Sequence, residues 1–218
     1  MTDTPLPRGV KLCAILALVL GTCSGMNATS NALGLLQSGD PISRTAKPPE
    51  TPEEERVLQA AEAVQLSHSR AVRPFKGARV ASALLLSVAT MFTLVIALRV
   101  LVPAGLNRRR LLRTLSTVTI ATAVIRTVDG AMDFVVARKT AKPILELTRA
   151  RMETDPATAN SEEVARMFND MAGTLAGWIP MATALMTLLV AGAFLGIGQY
   201  LRSQRVMGAF PPPSQDLS

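Results

Sequence analysis

Residues 121–136 read ATAVIRTVDGAMDFVV, an apolar run of membrane-spanning character that carries Arg126, Asp129 and Asp133. Each of these charges near a bilayer centre costs about 2.5–3.5 kcal/mol on an insertion scale, so their arrangement decides how the helix is used. At 100° per residue, Ser116, Thr119, Thr122, Arg126, Asp129, Gly130 and Asp133 fall within an arc of roughly 140°. Val118, Ile120, Val124, Ile125, Val128, Met132, Val135 and Val136 take the opposite side. The charges therefore continue a polar stripe on a helix whose other face suits lipid. Arg126 and Asp129 are three apart and Asp129 and Asp133 four apart, both neighbouring positions on a helix surface. An Arg126–Asp129 pair lowers the cost of burial and leaves Asp133, nearer the external interface, to be hydrated, protonated or paired with another helix.

The composition around this stretch is that of a membrane protein. Of 218 residues 49% are hydrophobic and 18% charged, against about 25% charged in a soluble domain, and mean hydropathy is +0.30. The apolar residues gather in blocks near the 20 or so that span a bilayer. Four transmembrane helices are expected, in an all-α polytopic fold. The first lies within residues 1–37. Its strongly apolar part, Leu12 to Gly21, is short, and it reads as a signal anchor, a cleaved signal peptide or a lipoprotein signal at Cys23. Small residues continuing in helical register favour the anchor; if the segment is cleaved, three spans remain. The others are residues 80–102, 112–137 and 178–200, the last with Trp178 and Tyr200 as interfacial anchors. Gly21 with Gly25, Gly173 with Gly177 and Gly192 with Gly196 have the spacing of close helix packing.

Net charge is +7, but the basic residues flank the apolar blocks, which argues against nucleic acid as partner. Arg108, Arg109, Arg110 and Arg113 crowd the connection around residues 103–111 with no acidic residue among them, which places that loop in the cytoplasm. Both termini, including the tail 201–218 expected to be disordered, then lie inside, and segments 38–79 and 138–177 lie outside. The predominance of arginine over lysine associates the chain with a GC-rich bacterial genome, hence an inner membrane.

Each outer segment is expected to carry an amphipathic helix. In the first, after the proline-rich linker SGDPISRTAKPPE, Thr51, Pro52 and Glu54 form a capping box with a helix-start proline. Val57, Ala61 and Val64 make its apolar spacing, and Pro74 ends it. In the second, a helix kinked at Pro143 and a turn near Asp155–Asn160 lead into a stripe of Val164, Met167, Phe168, Met171 and Leu175, forming a hairpin on the third and fourth spans. Pro143 with Leu147, and Phe168-Asn169-Asp170-Met171, partly resemble the opening and second-helix motifs of a HAMP signalling module. The short connector, Asn160 in place of an acid and the return to the membrane depart from that family.

Cys13 and Cys23 would stand about 15 Å apart on one helix, beyond disulfide reach, and His68 is the single histidine. There is no metal-ligand spacing, phosphate loop or nucleophile–base pair, so neither a metal nor another cofactor is expected. The sequence points to a non-enzymatic integral membrane subunit or scaffold. Its charged third helix would pack against other helices or a partner subunit, in a bilayer and with another membrane protein or a second copy. The alternative is an oligomeric ion- or proton-conducting component using Asp129 and Asp133.

Overall fold

A computed structural model describes residues 6–37, 51–102, 108–154 and 162–210. These residues are 96% helical and contain no strand. The elements are α1 (Arg8–Gln37), α2 (Pro52–Val72), a 3₁₀ turn at Arg73–Phe75, α3 (Lys76–Leu101), α4 (Arg108–Thr154), α5 (Glu162–Arg202) and the short α6 (Gln204–Gly208). Three stretches are long and apolar enough to cross a membrane: Arg8–Leu35, Pro52–Leu101 and Arg166–Arg202. The expected third span lies inside α4, which is not among them.

Several boundaries differ from the sequence reading, for local reasons. The start of α2 is as expected: the Thr51 hydroxyl accepts from the Glu54 amide at 3.2 Å with Pro52 in the first turn. As expected, α2 ends just before Pro74, at Val72; Pro74 itself sits in the 3₁₀ turn, where a proline in the first turn is tolerated, and α3 begins at Lys76 rather than Val80. Pro143 and Pro180 both sit inside continuous helices, α4 of 47 residues and α5 of 41. The segments expected to lie outside, on either side of residues 155–161, are thus continuous with α4 and α5 rather than separate helices. Of the expected stripe on α5, Phe168 and Leu175 are half-buried, whereas Met167 and Met171 are exposed. The Val164 side chain, the linker 38–50, residues 103–107, the turn at 155–160 and residues 211–218 of the tail lie outside the described residues.

The chain divides into two compact units. Unit 1 takes residues 1–36, 80–129 and 187–218, hence α1, most of α3, the first half of α4, the end of α5, and α6. Its apolar core joins Val10, Ala14 and Ala17 of α1, Ile96, Ala97 and Val100 of α3, Leu112 and Leu115 of α4, Ile197 and Leu201 of α5, and Val206 and Phe210 beyond. This core brings the start of α1, the end of α3, the start of α4 and the end of α5 together.

Along α3 the usual distribution is inverted. Ser82, Ala83, Leu86, Thr90, Thr93 and Ala97 are buried, while Leu84, Leu85, Val88, Met91, Phe92, Val95 and Leu98 are each more than half exposed. Small and hydroxyl residues let helices approach closely where the surrounding solvent is as apolar as leucine. An apolar outer face of this extent is foreign to a water-soluble monomer. Unit 2 takes residues 37–79 and 130–186, with Ala71, Val72, Arg79, Gly130, Val136, Thr140, Ala141 and Pro180 buried.

Candidate functional site

The polar stripe of α4 turns inward. Ser116, Thr119, Thr122 and Asp129 are at most 5% exposed and Gly130 is buried; Arg126 and Asp133 are half-buried. Val124 and Val128 on the other face are more than half exposed. The hydroxyls are satisfied locally, since a polar hydrogen without a partner would be costly in an apolar surround. Thr119 and Thr122 donate to the Leu115 and Val118 carbonyls, at 2.9 and 2.8 Å. Ser116 donates instead across the helix interface to the Gly198 carbonyl at 2.8 Å.

Within unit 1, Asp129 is held from two sides. Arg126 Nη1 donates to its Oδ2 at 3.1 Å, the i,i+3 pair expected from spacing. The Ser82 hydroxyl of α3 donates to its Oδ1 at 2.9 Å. The Arg126 Nε is buried and has no hydrogen-bond partner among the described residues. Within unit 2, Asp133 forms an ion pair with Arg79 Nη2. Arg79 is 9% exposed, and it is the one charged member the sequence reading left out. It precedes Val80, where the second span was expected to begin. A signal was present: Arg79 and Ser82 are three apart on one helix, and Asp133 and Asp129 four apart on the other, so two antiparallel faces match in spacing.

His68 on α2 belongs to the same unit as the Arg79–Asp133 pair. Burial and then the Arg79 charge hold its imidazole below the ordinary pKa of 6.5, while Asp133 pulls it upward.

The glycine pairs separate into two groups. A Cβ at Gly25 would meet Thr90 Oγ1 at 2.9 Å, and one at Gly21 would meet Leu94 Cδ2 at 3.3 Å. Gly21 and Gly25 therefore let α1 lie close against α3. At Gly173, Gly177, Gly192 and Gly196 nothing of the described chain comes within 4 Å of such an atom. The tightest approach among the helical glycines of α5 is at Gly198, which the spacing rule overlooked. A Cβ there would fall 2.6 Å from Ile120 Cγ1 and 3.0 Å from the Ser116 carbonyl.

Of the basic residues at the start of α4, Arg108 and Arg109 are half-buried and Arg110 and Arg113 exposed. Trp178 and Tyr200 are exposed. Among the described residues no three His, Cys, Asp or Glu side chains gather as metal ligands, and both cysteines are free. Compared with protein-family models, curated proteins and solved structures, the chain matches none.

Proposed function

We propose that the chain is a non-enzymatic integral membrane subunit or scaffold, with four spans including α4. The Arg-rich connection and both termini would face the cytoplasm, in a bacterial inner membrane. The observation that carries this reading is the engagement of Asp129, whose two carboxylate oxygens are both taken by donors of the chain's own helices. A group occupied in this way fixes how α3 and α4 pack. It is poorly placed to hand on a proton or bind a cargo, for either act must first separate it from Arg126 or Ser82. Polar contacts between membrane helices commonly serve such packing. The charge placement by the positive-inside rule supports the orientation. The inverted face of α3 supports bilayer integration.

On this reading partners meet the faces the chain leaves open, among them the α5 surface around Gly192 and Gly196, rather than the charges of α4. The test is native mass and co-purifying protein after mild detergent extraction. Gly192→Leu/Gly196→Leu should keep the wild-type melting temperature and lose the partner or second copy, while Asp129→Asn lowers the melting temperature. In the competing reading, an oligomeric conductor using Asp129 and Asp133, Asp129→Asn assembles and melts like wild type but abolishes proton flux into vesicles. That pattern would refute the scaffold.

A further inference from the structure

A cleft of about 470 Å³ opens in unit 1 between the start of α4 and the end of α5 with α6, lined by Arg113, Ser116, Thr117, Arg202, Gln204 and Met207. Its two guanidiniums are exposed, and among the described residues no carboxylate pairs with either. Asp129 is the sole acidic residue among the described residues of this unit, and it is engaged by Arg126 and Ser82. The described residues of this unit therefore hold no free counter-anion. The hydroxyl protons of the lining are already committed, Thr117 to the Arg113 carbonyl at 3.0 Å and Ser116 to the Gly198 carbonyl at 2.8 Å. What remains for a ligand is a donor set of two guanidiniums and the Gln204 amide beside an apolar methionine. Such a set fits a group made only of acceptors, and arginine is the side chain suited to phosphate oxygens. It repels cations. The first turn of α4 carries arginines and no acid, the opposite of what the helix dipole favours, so an anion nearby relieves both.

We propose that this cleft binds a phosphate group, carried by an anionic phospholipid headgroup or free in solution. The lipid source rests on the membrane-spanning reading; the free-phosphate source does not. Basic pockets between spanning helices on the cytoplasmic side are suited to anionic headgroups.

The test uses the full chain, purified in detergent and delipidated. Native mass spectrometry follows retention of added phosphatidylglycerol against phosphatidylcholine, and calorimetry follows binding of inorganic phosphate. Phosphatidylglycerol should be retained about tenfold better than phosphatidylcholine. Arg113→Gln/Arg202→Gln should lose that preference, while Lys11→Gln/Arg205→Gln, which removes equal charge elsewhere, keeps it. Phosphatidylglycerol without inorganic phosphate identifies a lipid site; binding of inorganic phosphate identifies a general phosphate site. Circular dichroism checks the fold, and Arg113→Lys/Arg202→Lys, which keeps charge but loses the planar fork, should bind at an intermediate level. Wild-type retention in the glutamine variant, equal loss in the control pair, or no binding of either probe overturns the proposal. Failure of the membrane reading shows separately, as a chain that leaves the membrane fraction without detergent.

Discussion

Ser82 on α3 donates its hydroxyl to Asp129 on α4 at 2.9 Å, and both side chains are buried. Ser82→Ala removes a hydrogen bond to a carboxylate and should cost about 1.5–3 kcal/mol. Asp129→Ala also strands the Arg126 guanidinium and should cost more, about 3–5 kcal/mol. At roughly 2–4 °C per kcal/mol for a chain of this size, the two are separable by thermal unfolding in detergent.

Arg79 and Asp133 should behave as a coupled pair. Asp133→Asn or Arg79→Gln alone is expected to cost about 2 kcal/mol, below the figure for a fully buried pair because the Asp133 side chain is 22% exposed. The double variant Arg79→Gln/Asp133→Asn should be less destabilised than the sum, with a coupling of about 0.5–3 kcal/mol. Additive losses would show that the two charges act independently.

Gly198 and Gly196, two residues apart on α5, should respond oppositely to the same change. Gly198→Ala drives a methyl against Ile120 and the Ser116 backbone and should cost about 1–3 kcal/mol by overpacking. Gly196→Ala meets open space and should be neutral or gain up to about 1 kcal/mol of helix propensity. Parallel melts of the two variants decide this.

Thr51→Ala should cost about 1 kcal/mol through loss of its cap to the Glu54 amide. The loss is local to the first turn of α2. Hydrogen exchange at Glu54 should accelerate while exchange in α4 stays unchanged.

Because the His68 pKa is depressed in the fold, the unfolded chain binds the proton more tightly. Its contribution to stability is therefore complete above 6.5 and is lost as pH falls through the lower folded value. The residue is exposed at its surface and its imidazole only partly desolvated by its neighbours, so the effect is small. His68→Gln should flatten the fall in melting temperature between about pH 7 and pH 5; an unchanged slope would assign that fall to other groups.

Helical periodicity and apolar blocks made the all-helical class and the three long apolar helices legible, because both rest on local composition. The Arg126–Asp129 pair was legible for the same reason: both residues lie on one turn. Partners on other helices were not. Arg79 went unseen because α3 starts directly after the 3₁₀ turn, at Lys76, a turn before the expected span at Val80, and so carries the arginine into the buried face. The continuity of α4 past residue 137 and of α5 into residue 178 was likewise hidden, since a change from polar to apolar composition does not by itself mark a helix end. Among the glycines, spacing identified Gly21 and Gly25, but missed Gly198, whose close approach depends on Ile120 and Ser116 far away in the chain.

The pairing of α4 with α3 also bears on how the protein is made. A helix bearing Arg126, Asp129 and Asp133 is a poor candidate to leave a translocation channel for lipid by itself, at about 2.5–3.5 kcal/mol for each central charge. α3 precedes it in synthesis by only the short connection between Leu101 and Arg108, and already carries Ser82 and Arg79. On the proposed reading of α4 as a span, the ribosome delivers the polar partner first, and the order of synthesis would supply the condition under which the costly helix enters the bilayer as half of a hairpin.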